Sequence, residues 1–226
     1  MRYATIMLMY YFESRASAGA KLASKLIEKY SNEDTVVLAL DHGGVAVGYQ
    51  IATYLHAKLQ LLLTEVVHIS DESIDFAIVL PGGVVANNPK LSESERNYYY
   101  SEYMGELDTK LREARSRINR ETDIDEISPE SLRDHNIILV SEGLNSSTIL
   151  DATVIWLKPA HVKKIILACP VISVNALDRA HILMDELCIL GTTPNFITTS
   201  HYYDNDDVPE KEMIKQMTSA SIVNWK

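Results

Sequence analysis

The chain has 226 residues and a mass of 25.4 kDa, enough to bury a full core as a single domain, 1–226. Hydrophobic residues make up 46% and charged residues 23%, an ordinary globular balance that excludes a disordered or fibrous chain. A formal net charge of −10 argues against a nucleic acid as partner, because a phosphate backbone calls for a basic face. A small anion stays admissible, since helix N-termini hold anions through backbone amides. Cys169 and Cys188 sit in apolar runs without metal-type spacing and read as free thiols of a reducing, cytoplasmic compartment. No apolar run approaches the ~20 residues that a membrane helix needs.

In chain order, Ala4 to Phe12 is apolar and loosely imitates a signal peptide. Its tyrosines and single preceding arginine favour a strand or extended arm. Ser14 to Tyr30 has helical spacing, with Ser14 as cap. Thr35 to Leu40 (TVVLAL) reads as a buried parallel strand, and Val45 to Leu55 as the helix packed on it. Leu59 to Val67 and Phe76 to Leu80 are strand candidates, with Pro81-Gly82-Gly83 as a turn. Leu91 to Glu121 is a long helical insertion. It carries Tyr98, Tyr99, Tyr100 and Tyr103, which are expected to pack it on the domain or on a partner subunit. Asn136 to Val140 (NIILV) is a second buried strand, followed by a helix over Ser147 to Leu157. Lys164 to Ala168 is a strand, Val174 to Glu186 a helix, Cys188 to Leu190 a short strand, and Pro209 to Met217 a last helix. Strands alternating with helices specify an α/β fold, a parallel sheet covered on both faces.

In such a sheet, ligands bind beyond the carboxyl ends of the strands. Two strand ends carry suitable chemistry. Asp41-His42-Gly43-Gly44 follows TVVLAL, and its paired glycines permit a sharp turn and a close approach. Ser141-Glu142-Gly143-Leu144-Asn145-Ser146-Ser147-Thr148 follows NIILV. Hydroxyls and free amides opening a helix make a phosphate cradle, although Ser146 or Ser147 would also serve simply as a helix cap. Asp204, Asp206 and Asp207 read as a solvated acidic loop.

These motifs resemble those of the type I phosphoribosyltransferases. Phe12-Glu13-Ser14-Arg15-Ala16-Ser17-Ala18-Gly19 resembles an F-x-x-R-x-x-A-G opening. Asp41 to Val47 stands where the family has P-R-G-G-V-P-V, and Ser141 to Ile149 where it has D-D-G-x-x-T-G-x-T. The resemblance runs on through Ala168-Cys169-Pro170-Val171 and Tyr203-Asp204. It implies a type I phosphoribosyltransferase-like fold with a small hood around the 91–121 insertion. It implies binding of phosphoribosyl pyrophosphate (PRPP) or a nucleotide, with Mg²⁺, in a homodimer. Residues 141–148 would then hold ribose and 5-phosphate, and 41–44 pyrophosphate, with Glu142 and His42 as the catalytic candidates.

The departures from the family pattern bear on chemistry. Ser141 replaces one of two ribose-binding acids, Ser147 replaces a glycine, and Asp41-His42 replaces Pro-Arg. Val66-Val67-His68-Ile69 stands where the group has Arg-Lys. Phosphoribosyl transfer must stabilise departing pyrophosphate, which Asp41 would repel. Two functions are compatible with the pattern. One is PRPP-dependent transfer of ribose 5-phosphate to or from a nitrogenous base. The other is a catalytically silent sensor, regulator or structural subunit that binds a phosphorylated ribose. Ester hydrolysis with Glu142 as base is a third, lacking a second acid at metal-ligand spacing.

Overall fold

The computed structural model describes residues 11–70, 74–121 and 127–223. Helix α1 (Arg15–Tyr30) starts where the Ser14 hydroxyl accepts the Ser17 N–H at 3.0 Å. Most of the apolar run from Ala4 lies outside the described residues, but Phe12 pairs with Tyr203 in a short parallel bridge.

The two continuous apolar runs become β1 (Thr35–Ala39) and β6 (Asn136–Val140), every residue of which is buried. They lie side by side in the middle of a five-stranded sheet with β2 (Lys58–Leu61), β7 (Lys164–Ser173) and β8 (Glu186–Thr193), in the order β2-β1-β6-β7-β8. All four pairings are parallel. Burial on both faces explains why β1 and β6 show no alternation of apolar and polar residues.

Side chains from alternate positions feed two cores. Val37, Ala39, Ile138 and Val140 meet α1 and α2 (His42–Leu55), with Ile214 of α6 (Lys211–Val223). Val36, Leu38, Ile137 and Leu139 meet α4 (Thr148–Leu157) and α5 (Val174–Leu183). Helices α1 and α2 cross closely at Gly19, where a Cβ would come within 2.5 Å of the Val47 carbonyl oxygen.

The stretch from Leu59 to Val67 is not one strand. It ends β2 at Leu61 and resumes as β3 (Glu65–Ile69) in a separate antiparallel sheet with β4 (Ile74–Val79) and β5 (Val85–Asn87). Helix α3 (Glu93–Glu121) lies on this small sheet through Leu107, Ala114 and Ile118. The hood is therefore the small sheet plus its helix. The four tyrosines of α3 divide: Tyr99 and Tyr103 pack into this core, while Tyr98 stays exposed and Tyr100 stacks on Phe76 and donates to Asp108 at 2.9 Å. The Trp156 indole N–H donates to the Pro81 carbonyl at 3.3 Å, joining hood to main sheet. Among the described residues no helix is long and apolar enough to cross a membrane.

Leu139 is fully buried and Ile182 is 74% exposed, so the same truncation separates them. In urea denaturation Leu139→Ala is expected to cost about 2–5 kcal/mol, and Ile182→Ala less than about 0.5 kcal/mol.

Candidate functional site

Both motif loops lie at the carboxyl edge of the sheet, after the adjacent strands β1 and β6. Residues 41–44 do not form an open loop there. Asp41 is the N-cap of α2, and His42, Gly43 and Gly44 are its first turn, none with a positive φ. The Asp41 carboxylate accepts the Gly44 N–H at 2.5 Å, the Ser141 hydroxyl at 2.6 Å and the Glu142 N–H at 3.4 Å. It ties the two loops together. The paired glycines also acquire another role. A Cβ on Gly43 would overlap the Glu142 carboxylate and lie 2.8 Å from Arg15 Nε. The close approach made here is one loop against the other, with Glu142 beside a helix N-terminus that favours negative charge.

Glu142 is held from behind. Its carboxylate pairs with the Arg15 guanidinium, which has no exposed surface. Arg15 Nη1 also meets Asp207 at 3.1 Å and Asp206 at 3.4 Å, and the ring of Tyr203 lies against the guanidinium at 4.6 Å. Asp207 additionally accepts the Arg15 backbone N–H at 3.0 Å. The Tyr203 hydroxyl donates to the Glu142 carbonyl at 2.5 Å. The 204–207 segment is thus no mere solvated loop, since two of its acids neutralise a buried arginine. In the sequence Arg15 stands out only as part of a motif. The signal that could have found its role is a charged residue on the apolar face of an otherwise regular amphipathic helix.

The electrostatics follow from burial. Burial works against the charge of Arg15, but the hydrogen bonds and charges of Glu142 and Asp207 hold it above its ordinary range. Burial, reinforced by Asp41, pushes the Glu142 carboxyl up against the pull of Arg15. Burial also pushes Asp41 up, opposed by its donors Ser141, Gly44 and Glu142.

The rest of the second loop divides. Ser141 is fully buried and spends its hydroxyl on Asp41. Gly143 is covered by Thr199 and Phe196, where a Cβ would lie 2.9 and 3.2 Å away. Leu144 points into the core, and its N–H and C=O pair with Val171 and Ser173 of β7. Asn145, Ser146 and Ser147 line a cavity of about 520 Å³ at the start of α4, together with Lys90, Asp151, Asn175 and Arg179. Ser146 Oγ lies 2.9 Å from Thr148 Oγ1 and accepts the Thr148 N–H at 3.3 Å. Ser147 is 5% exposed and its hydroxyl caps nothing. His42 stands on the first turn of α2. His68 is far along the chain in the hood, paired with Asp75 at 2.7 Å.

The carboxylates present do not fit a magnesium site of their own. Arg15 engages Glu142, and hydrogen-bond donors engage both oxygens of Asp41. Among the described residues no group of three or more histidines, cysteines, aspartates or glutamates is placed to share an ion.

This architecture is that of the type I phosphoribosyltransferase fold. The phosphoribosyl transferase domain model matches residues 11–186, and the chain belongs to that family. Among solved structures, the protein TT1426 of Thermus thermophilus superposes with a TM-score of 0.71 at 22% identity, covering 92% of this chain and 97% of its own. A purine phosphoribosyltransferase of Pyrococcus horikoshii gives a TM-score of 0.45 at 13% identity, covering 85% and 89% respectively.

Two variants test the arrangement. Gly43→Ala must displace Glu142 and Arg15, and is expected to cost about 1–3 kcal/mol in urea denaturation. Asp41→Asn keeps an acceptor for the Gly44 N–H but cannot ionise. Because the folded pKa of Asp41 is raised, its contribution is fully present below the unfolded value of about 4 and is lost as pH rises through the folded value. The stability of the native chain relative to Asp41→Asn should fall from pH 4 to pH 8, and a constant difference would contradict the burial argument.

Proposed function

We propose that this protein binds a phosphorylated ribose, PRPP or a nucleotide, at residues 143–148, and that it serves as a sensor, regulator or structural subunit with little or no transfer activity. The observation that carries the reading is the contrast between the two halves of the site. The α4 end is an open cavity lined by Asn145, Ser146 and the unused hydroxyl of Ser147. Helix-terminal amides and hydroxyls of this kind suit a phosphate monoester. The α2 end is filled by the protein itself. Glu142 lies against Gly43 and is neutralised by Arg15, and Asp41 caps the helix. A departing pyrophosphate finds two partly buried carboxylates there, and the ribose hydroxyls find Glu142 already paired. Transition-state charge would go unstabilised where stabilisation counts most.

PRPP-dependent transfer to or from a nitrogenous base is the second reading. It draws on the family match over 11–186 and requires Glu142 to leave Arg15 when ligand arrives. Arg15 Nη2 is buried without a hydrogen-bond partner, so the cluster has one donor in reserve for such a rearrangement.

Calorimetry with PRPP, with and without Mg²⁺, is expected to show binding that Ser146→Ala weakens several-fold. Pyrophosphate release against a panel of bases should stay at background. Release coupled to a base establishes the second reading instead. No binding of PRPP, ribose 5-phosphate or nucleoside monophosphates defeats both.

A further inference from the structure

The cavity at the start of α4 holds chemistry that the loop motif does not account for. Arg179 reaches it from α5, and Lys90 from the segment between β5 and α3. Arg179 makes a two-pronged contact with a single oxygen of Asp151, Nε at 2.9 Å and Nη2 at 2.5 Å. Asp151 lies in the first turn of α4 and is buried, whereas the Arg179 side chain is 39% exposed. The acid is therefore fixed and the guanidinium is the mobile partner. Asn175 lines the same wall, one turn before Arg179 on α5. Opposite them stands Ser147, nine-tenths buried, whose hydroxyl caps no helix.

The charges in this cavity are unequal. Lys90 and Arg179 contribute two positive charges and Asp151 one negative charge, in a protein whose net charge is −10. A local cationic excess in an acidic protein attracts a small anion. A guanidinium is also suited to bidentate contact with a phosphate group, a geometry that one carboxylate oxygen does not exhaust.

Resting on the reading of the loop as a phosphorylated-ribose site, the geometry points to Arg179 and Lys90 as the cationic half of the phosphate seat. Asp151 is the internal counter-ion that the ligand's phosphate displaces from Arg179. The amides and hydroxyls of 145–148 supply the neutral half. This distribution moves the positive charge of the site from the α2 end, where His42 and Asp41 stand in place of Pro-Arg, to the α5 side of the cavity. It makes the site selective for a phosphate monoester and indifferent to a leaving pyrophosphate. Hood and sheet meet at the ligand, because Lys90 follows the last strand of the hood.

Calorimetry on the full chain with ribose 5-phosphate, inorganic phosphate and ribose tests this. Arg179→Gln is expected to weaken ribose 5-phosphate binding about tenfold or more, the scale of a charge-assisted hydrogen bond. Binding of ribose should not change. Lys90→Gln should weaken binding less and flatten its salt dependence. Asp151→Asn should tighten binding several-fold, since Arg179 then has no internal rival. The double variant Asp151→Asn, Arg179→Gln removes the pair without burying an unpaired carboxylate. It should bind as weakly as Arg179→Gln. If Arg179→Gln and the double variant bind ribose 5-phosphate within twofold of the native chain while Ser146→Ala loses binding, the inference falls and the loop reading stands. If the native chain does not bind ribose 5-phosphate at all, the loop reading falls and takes the inference with it.

Discussion

A guanidinium without exposed surface has to be surrounded by acceptors, or its desolvation is uncompensated. Arg15 meets most of that condition by gathering Glu142 from the loop after β6 and Asp206 and Asp207 from the chain beyond β8, with Nη2 alone left without a partner. Tyr203 closes the cluster from one side. Three segments distant in sequence are drawn to one point at the carboxyl edge of the sheet. The position of α1 over the sheet, the path of residues 196–207 over Gly143, and the placement of Glu142 against α2 all depend on this charge being satisfied. Removing Glu142 or Asp207 would take an acceptor from a buried guanidinium, so these contacts depend on one another.

The two departures that weaken the family motif turn out to be one coupled change. Ser141 stands where an acid belongs, and Asp41 stands where proline belongs. In the structure the Ser141 hydroxyl donates to Asp41 at 2.6 Å. An acid at 141 would place two carboxylates in that contact, which the buried setting makes costly. Asp41 in turn caps α2 and receives the Glu142 N–H. Ser141 and Asp41 together form a structural joint between the two loops.

The site consequently has two unlike ends. At α2 the protein's own carboxylates crowd the helix N-terminus, Glu142 against Gly43 and Asp41 as its cap. At α4 a cavity remains, lined by the hydroxyls of Ser146 and Ser147 and by cations. Fold and function separate at this level, because chemistry resides in particular side chains at the strand ends.

Much of this was legible in the sequence. TVVLAL and NIILV announce central parallel strands, since only strands buried on both faces carry uninterrupted apolar runs. Ser14 announces the start of α1, and the run NIILV places residues 141–148 at the carboxyl edge of the sheet. The hood was only half visible. The stretch from Leu59 to Val67 has one hydrophobic character throughout, yet it serves two sheets, and pattern alone does not mark where pairing partners change. The contacts of Arg15, Asp207 and Arg179 were not legible at all. Each spans a long stretch of chain, 127 residues between Arg15 and Glu142, 192 between Arg15 and Asp207 and 28 between Arg179 and Asp151. The sequence by itself determined which segments are buried, and hence the parallel sheet and the edge at which the two motif loops lie. Only the tertiary structure decided which charges meet at that edge, because pairing between charges depends on distances of a few ångströms that local periodicity does not encode.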